Sequence, residues 1–125
     1  MSKTMPSISD AEWEVMKILW KNPPKSASQV VTELEAIVDW KPKTIRTHLD
    51  RLTKKEIIKV NRDERIYTFT PLFSKDECKR AETNSFIKRV HDGTTKSMMV
   101  QFIEDETLTK EDLQELRSLL DEKLD

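Results

Sequence analysis

The chain contains 125 residues and has a formal net charge of −1, because 22 Lys and Arg side chains are opposed by 23 Asp and Glu side chains. Its single cysteine, Cys78, excludes an internal disulfide framework and a cysteine-based zinc knuckle, and its single glycine excludes a glycine-rich phosphate loop. No apolar run approaches the roughly 20 residues that cross a bilayer, and the N-terminus lacks an apolar signal-peptide stretch, so we expect a cytoplasmic protein without membrane insertion.

Two helices are predicted in the first third of the chain. Ser9 and Glu12 have the Ser-x-x-Glu spacing of a capping box. The helix that follows is apolar over more than half of its circumference up to about Trp20, which predicts a helix packed between neighbours. Two consecutive prolines end it. Ser26 opens a second capping box, and the apolar residues after it keep a helical spacing until shortly before Trp40.

A third helix is predicted from Pro42 to about residue 55, and its two faces differ in character. Proline suits the first position of a helix, because the amide hydrogen that it lacks would have no helical partner there. Only Ile45, Leu49 and Leu52 are apolar, and they lie within about 60° of one another on the helical wheel. Residues 41–65 have a net charge of +5. The helix is therefore predicted to bury one narrow stripe and to expose a broad basic face.

The hydrophobic period changes after this helix. Residues 58–62 and 66–70 alternate in polarity and are rich in β-branched and aromatic side chains, which predicts two strands joined by a short link at Asp63 and Glu64, with the second strand ended by Pro71. Three helices followed by a β-hairpin is the order of a winged helix-turn-helix. The sequence therefore predicts a winged-helix domain over residues 1–73, with a net charge of +3.

Residues 74–125 have a net charge of −4 and are predicted to be helical throughout. A capping box at Ser74 opens a helix that runs to about His91 and is capped by Gly93; a second helix follows, and a third begins at Thr109. Only 16 residues of this region are apolar, which is too few for an independent core. We therefore predict a three-helix dimerisation domain that packs against the same region of a second copy. The side chains expected in that contact are Phe86, Val90, Met98, Phe102, Leu113, Leu116 and Leu120. The fold class predicted for the chain is thus mainly α with a small β-hairpin.

The basic face of the third helix has the composition of a surface that enters a DNA major groove. Lys and Arg neutralise phosphates, Arg can bind guanine through two hydrogen bonds, and Thr can contact base edges or the thymine methyl group. The residues predicted to contact double-stranded DNA are Lys43, Thr44, Arg46, Thr47, Arg51 and Lys54 on the helix and Arg62 and Arg65 on the hairpin. The alternatives are a solvated helix whose charges serve solubility and an ordinary exposed turn.

Two further residues of this helix have competing interpretations. Asp50 would repel phosphate but can accept a hydrogen bond from cytosine; pairing with Arg46 and Lys54, one turn away on either side, is the favoured interpretation. His48 lies between the apolar and polar faces, where it either edges the core or hydrogen-bonds to DNA, and the core edge is favoured.

No arrangement of residues predicts catalysis, a metal site or a cofactor site. The two histidines, His48 and His91, lie 43 positions apart, and Cys78 is too far from His91 along one helix to share a metal. We therefore expect no enzymatic activity and no cofactor. A winged helix that binds an acidic protein, and an enzyme or small-molecule sensor with a pocket between the two domains, are the alternatives to a DNA-binding protein.

Several motifs in one order resemble the penicillinase repressors of the BlaI/MecI type over nearly the whole chain. The matching runs are Ala11-Glu12-Trp13-Glu14-Val15-Met16, Trp40-x-Pro42-Lys43-Thr44-Ile45-Arg46-Thr47, Arg51-Leu52-x-Lys54-Lys55, Ser97-x-x-Val100-x-Phe102 and Glu115-Leu116-Arg117-x-x-Leu120. The resemblance implies a cytoplasmic homodimer that binds an inverted-repeat operator and represses a β-lactamase or penicillin-binding-protein operon together with its own. It also places Lys43, Thr44, Arg46 and Thr47 nearest the bases.

The resemblance implies a route to derepression as well. In the family, a membrane sensor protease triggers cleavage in the second tail helix between an Asn and a Phe. The corresponding residues here are Gln101 and Phe102, so the first side chain is one methylene longer, and this pair is the candidate cleavage site for a sensor-linked protease. Lys41 stands where Ser or Asp usually caps the recognition helix, so that end is expected to fray more readily. A related branch senses copper through C-terminal cysteines, which this tail lacks.

Overall fold

The computed structural model describes residues 5–92 and 94–125. In chain order its elements are α1 (Asp10–Leu19), β1 (Lys25–Ser26), α2 (Ala27–Glu35), α3 (Pro42–Lys54), β2 (Ile58–Asn61), β3 (Thr68–Pro71), α4 (Lys75–Val90), α5 (Thr95–Glu104) and α6 (Lys110–Leu124). Helices dominate, and a small antiparallel sheet is formed by β1, which lies between α1 and α2, and by β2 and β3, which follow α3. The predicted fold class, mainly α with an N-terminal winged helix-turn-helix and a helical C-terminal region, is confirmed.

The chain divides into two compact units, one ending at Glu82 and the other beginning at Thr83. This division falls inside α4, because the first turns of that helix belong with the N-terminal unit: Cys78 is buried in its core. The functional boundary after residue 73 stays a prediction.

Both N-terminal helices begin where their capping boxes predict. The Ser9 hydroxyl accepts a hydrogen bond from the Glu12 amide at 3.1 Å, and the Ser9 amide donates to Glu12 Oε1 at 2.8 Å. Ser26 and Gln29 form the same reciprocal pair at the start of α2. α2 ends at Glu35, several residues before the end that the apolar spacing predicted, because the chain turns at residues 36–38.

Helices α1 to α3 and the sheet surround one apolar core. Its largest fully buried apolar side chains are Met16, Leu19, Leu34, Ile45, Leu49, Leu52, Ile57 and Ile58. The predicted stripe of α3 is confirmed, since Ile45, Leu49 and Leu52 are at most 1% exposed. Burying a side chain of this size contributes about 1.5–3 kcal/mol. The stripe therefore fixes which face of α3 points away from the core.

The sheet has the strand order β1-β3-β2. The two-residue strand β1 was missed, because so short a segment carries no periodicity. The second strand ends at Pro71 as predicted, but the proline is itself the last residue of β3 and lies opposite Ile58. The Leu72 amide donates to the Ile57 carbonyl. Since backbone nitrogens alternate in direction along a strand, the nitrogen of Pro71 points away from β2. The ring nitrogen of Pro71 therefore costs no hydrogen bond between β2 and β3.

The connection between β2 and β3 is longer than the short link that the sequence predicted. β2 ends at Asn61 and β3 begins only at Thr68, so Ile66 and Tyr67 belong to the connection and not to a strand. Their side chains are 66% and 51% exposed. We call residues 62–67 the wing loop.

Two of the three tail helices, α4 and α6, also begin at predicted caps. Ser74 and Glu77 exchange hydrogen bonds of 3.0 Å at the start of α4, and Thr109 and Asp112 do the same at α6. The cap predicted at Gly93 lies outside the described residues. Over the part of the chain that the structure describes, no helix combines the length and the apolar character that a membrane span needs.

Candidate nucleic-acid interface

Helix α3 presents a continuous polar surface opposite its buried stripe. Every helix residue predicted to contact DNA is exposed, namely Lys43, Thr44, Arg46, Thr47, Arg51 and Lys54. None of them is turned into the core. The amphipathic pattern of the sequence thus produces one helix whose outer face carries four cations and two threonines.

The two ends of α3 are held differently. At the N-terminus, Lys41 provides no side-chain cap, and Pro42 occupies the first turn. The ring of Trp40, two residues before the helix, meets the ring of His48 in its second turn edge-on, with 5.3 Å between the ring centroids. At the C-terminus, the Lys55 ammonium donates to Glu12 Oε1 at 2.6 Å and to the Ser7 carbonyl at 3.0 Å. The segment that leads into α1 therefore anchors the end of α3.

The exposed cations of α3 form no ion pair with another described residue. The ion pairs between described residues join Lys17 to Glu14, Lys25 to Glu33, Lys55 to Glu12 and Arg80 to Asp76. None of these pairs involves a residue predicted to contact DNA. Cations without an internal partner keep their full attraction for a polyanion such as the DNA backbone.

The favoured interpretation of Asp50 is wrong. Among the described residues, Asp50 makes no ion pair with Arg46 or Lys54, although both lie one turn away. Exposed pairs of this kind contribute little, so nothing compels them to form. Asp50 instead stays exposed beside Arg46 at a groove on the surface.

This groove has a volume of about 410 Å³ and lies where α2, α3 and the wing loop meet. Its lining residues are Ser26, Ala27, Ser28, Arg46, Leu49, Asp50, Ile66, Tyr67 and Phe69. It places the wing loop beside Arg46, a proximity that the sequence did not reveal. Ile66 and Tyr67 were missed as surface residues because their apolar character resembled a strand. We call this feature the α3–wing groove.

Both arginines predicted in the hairpin lie in the wing loop and are exposed. The Arg62 guanidinium carbon lies 5.7 Å from the centroid of the Tyr67 ring. The Asp63 amide donates to Asn61 Oδ1 at 2.9 Å, which shapes the turn. The wing thus carries two outward cations, and one of them rests against an aromatic ring.

Two titratable groups near α3 have shifted pKa values. Burial and the Arg51 charge lower the pKa of His48, although the Glu12 carboxylate opposes them. His48 is half-buried and its Nδ1 has no partner among the described residues, so it lies at the core edge as predicted. Burial raises the pKa of Glu12, but hydrogen bonds from Lys55 and Ser9 outweigh burial and hold that pKa below its ordinary value.

The C-terminal unit leaves most of its apolar side chains in solvent. Among the described residues of 83–125, Ile87 alone is buried. Of the seven predicted dimer contacts, five are exposed and two are half-buried. The exposed ones are Phe86, Val90, Phe102, Leu113 and Leu120, and the half-buried ones are Met98 and Leu116. Their role in a dimer stays a prediction.

The candidate cleavage site lies within α5. Gln101 and Phe102 are both exposed, and both carbonyls are engaged: the Asp105 amide donates to the Gln101 carbonyl at 2.9 Å, and the Thr107 hydroxyl donates to the Phe102 carbonyl at 3.0 Å. The peptide bond between them is therefore part of hydrogen-bonded helix.

Groups suited to metal binding or nucleophilic chemistry do not gather in the described part of the chain, where no three His, Cys, Asp or Glu side chains are placed to hold an ion. Cys78 is buried, and burial together with the Glu77 charge raises the pKa of its thiol. A thiol in such surroundings is a poor nucleophile.

Comparison with known proteins gives a consistent result. The family model described as "Penicillinase repressor" matches residues 8–122. The chain is 38% identical over 120 residues to the penicillinase repressor of Bacillus licheniformis, covering 96% of this chain and 94% of that protein. It is also 38% identical over 116 residues to the methicillin resistance regulatory protein MecI of Staphylococcus aureus strain N315, covering 93% and 94%.

Solved structures resemble the N-terminal part. The solution structure of the DNA-binding domain of the repressor BlaI is 40% identical and matches with a TM-score of 0.54, covering 62% of this chain and 93% of that one. The Bacillus licheniformis BlaI monomeric form, solved in complex with the blaP half-operator, matches with the same identity, coverage and TM-score.

Proposed function

This chain belongs to the penicillinase repressor family, and we propose that it represses transcription by binding operator DNA as a homodimer. The observation that carries the proposal is the outer face of α3, where Lys43, Arg46, Arg51 and Lys54 are exposed and have no ion pair with a described residue. The similarity to a BlaI form that was solved with a half-operator supports the same surface.

Helix α3 is the proposed recognition helix. Its residues near the N-terminus, Lys43, Thr44, Arg46 and Thr47, face the base edges, where an arginine can bind guanine through two hydrogen bonds and a threonine can contact the thymine methyl. Arg51 and Lys54, with Arg62 and Arg65 of the wing loop, contact phosphates. These contacts fix the register of the protein on the duplex. The Asp50 carboxylate repels phosphate, so we expect no close phosphate contact at the turn of α3 that contains it.

The proposed dimer uses the tail. Helices α5 and α6 bury none of their side chains in a single copy, while Phe102 is 40% exposed, Leu113 40% and Leu120 59%. Covering such side chains with the same helices of a second copy removes them from water. Two winged-helix domains then reach half-sites one helical turn of DNA apart, about 34–36 Å, or a multiple of it. The division into a DNA-binding domain over residues 1–73 and a dimerisation domain over 74–125 belongs to this proposal.

Relief of repression follows from weakening the tail dimer. Two linked half-site binders gain roughly 10²–10⁴ in avidity over one, so separated copies release the operator. We propose cleavage between Gln101 and Phe102 as one such route. The bond lies within hydrogen-bonded helix, so α5 must open locally before a protease, linked to a membrane sensor, can bind it as an extended strand.

The Gln101→Asn variant checks that the candidate cleavage site is separate from the DNA-binding surface. Residue 101 is exposed and lies outside α3 and the wing loop, so the variant should bind the duplex as the wild type does. A marked loss of DNA affinity would show that Gln101 has another role.

The proposal places the protein in the cytoplasm, without enzymatic activity, as regulator of a β-lactamase or related resistance operon.

The experiment for the proposed function is a salt series. Binding of the full chain to the blaP half-operator duplex is measured as salt is raised, with polyglutamate as a competing acidic polymer. A DNA-binding repressor should lose affinity steeply with salt and should prefer the duplex to polyglutamate. Equal or better binding to polyglutamate would favour a protein-binding winged helix instead.

A further inference from the structure

The wing loop contains an aromatic ring that the core does not use. Tyr67 is 51% exposed, and its ring lies against Arg62, whose guanidinium carbon is 5.7 Å from the ring centroid. A tyrosine that contributed to the core would bury its ring. About half of the Tyr67 surface is instead exposed to solvent, and its ring contacts the Arg62 guanidinium. The arrangement points to a role for the ring in the placement of Arg62.

Arg62 has two acidic neighbours that could form an ion pair with its guanidinium in place of the contact with Tyr67. Asp63 and Glu64 follow it directly in the chain, yet neither forms an ion pair with Arg62 or Arg65 among the described residues. A guanidinium bound to either carboxylate would have fewer donors for a phosphate. A guanidinium on a ring is attracted through the π face, and its N–H donors stay available for a two-pronged contact with phosphate oxygens.

Tyr67 also stands at the junction of the two basic surfaces. It lines the α3–wing groove together with Arg46, and its ring lies against the Arg62 guanidinium of the wing loop. Tyr67 is therefore close both to a cation of α3 and to a cation of the wing loop.

From this geometry we propose that Tyr67 is a positioning residue, which holds the Arg62 guanidinium away from Asp63 and Glu64 and presents it to a DNA phosphate. The proposal rests on the proposed function, because it needs the duplex to lie along α3 and the wing loop. It assigns Tyr67 no contact with a base. Its effect on DNA passes through Arg62.

A double-mutant cycle tests this coupling. Affinity of the full chain for a mixed-sequence DNA duplex is measured by fluorescence anisotropy over a salt series, since phosphate contacts do not need the operator. Tyr67→Leu should raise the Kd roughly two- to five-fold, the size of an exposed cation–π contact, whereas Tyr67→Phe keeps the ring and should leave the Kd unchanged. Arg62→Ala should lower the slope of log K against log salt by about 0.9.

The decisive comparison is the effect of Tyr67→Leu in two variant backgrounds, Arg62→Ala and Lys43→Ala. Tyr67→Leu should have no further effect on the Kd when Arg62 is already Ala, but it should keep its full effect when Lys43 is Ala, because Lys43 lies on α3 away from the ring. A loss that is the same in both backgrounds, or no loss from Tyr67→Leu at all, overturns the positioning role while leaving the DNA-binding proposal intact. A wild-type chain that shows no salt-dependent duplex binding overturns both.

Discussion

The Lys55 ammonium donates a 2.6 Å hydrogen bond to Glu12 Oε1 across 43 positions of the chain. Glu12 is 1% exposed and also caps the start of α1 through the Ser9 amide. One carboxylate therefore ties the first turn of α1 to the end of α3. The pair orients the proposed recognition helix relative to the core without occupying its outer face.

Glu12→Gln should remove the ion pair with Lys55 but keep the helix cap, because glutamine can still accept a hydrogen bond from the Ser9 amide. Loss of the charge-assisted bond to Lys55 should lower the free energy of unfolding by about 1–3 kcal/mol at neutral pH. The pKa of Glu12 is held low in the folded state, so its stabilisation is present above its unfolded pKa of about 4.3 and is lost as the pH falls through the folded value.

Urea unfolding of both proteins at several pH values checks this expectation. The gap in unfolding free energy between wild type and Glu12→Gln should shrink as the solution becomes acidic. Lys17→Gln, which removes an exposed pair with Glu14, is the control and should change stability by less than about 1 kcal/mol. A gap that is constant down to strongly acidic pH would contradict the assigned role of the Glu12 charge.

His48→Gln should flatten the pH dependence of stability in mildly acidic solution. Burial and Arg51 lower the pKa of His48 in the folded protein, whereas the unfolded chain takes up a proton near pH 6.5. The unfolded state thus binds more protons, and stability decreases as the pH falls below about 6.5 until the folded pKa is reached. Thermal unfolding at about pH 7.5 and pH 5.5 measures this; equal pH slopes in the two proteins would exclude His48 as the source.

Arg46→Ala should weaken operator binding by about 1–3 kcal/mol and relax the base preference at one position. Arg46 is exposed on α3 and lines the α3–wing groove, so its loss removes no core contact. Gel shifts against a set of single-base operator variants provide the measurement, and Lys17→Ala on α1 is the charge-matched control. Unchanged discrimination between the variants would deny Arg46 a base-reading role.

Leu116→Asp should convert the proposed dimer into monomers in sedimentation velocity runs, because a carboxylate in an apolar contact must be desolvated without a partner. Leu120→Asp makes the same change at a side chain that is 59% exposed, which protects the test against a folding defect. Leu72→Asp, 51% exposed in the N-terminal unit, is the control and should stay dimeric. Dimers that persist in both tail variants would place the contact elsewhere.

The sequence predicted best where local rules act alone. The capping boxes at Ser9, Ser26 and Ser74 set the starts of α1, α2 and α4, because a cap needs only residues three positions apart. The buried stripe of α3 followed from its helical period for the same reason. These elements sufficed to predict the fold class and the exposed basic face.

Features that depend on the folded chain were missed. β1 forms only where residues 25 and 26 pair with β3, which no local pattern indicates. The wing loop was predicted to be too short, because the apolar residues Ile66 and Tyr67 were assigned to a strand. The pair of Glu12 and Lys55 joins residues that no local pattern relates. Within the candidate site, the cations could be named from the sequence, whereas the α3–wing groove and the contact of Tyr67 with Arg62 required the tertiary structure.

The central claim is that the outer face of α3 enters a DNA duplex. Titration of a mixed-sequence duplex into isotope-labelled full-length protein, followed through the backbone amide signals in NMR, tests it most directly. The account predicts that the largest changes occur at residues 43–54 and in the wing loop and that they reverse when salt is raised. Changes confined to other surfaces, with the signals of Lys43, Arg46 and Thr47 unmoved, would contradict it.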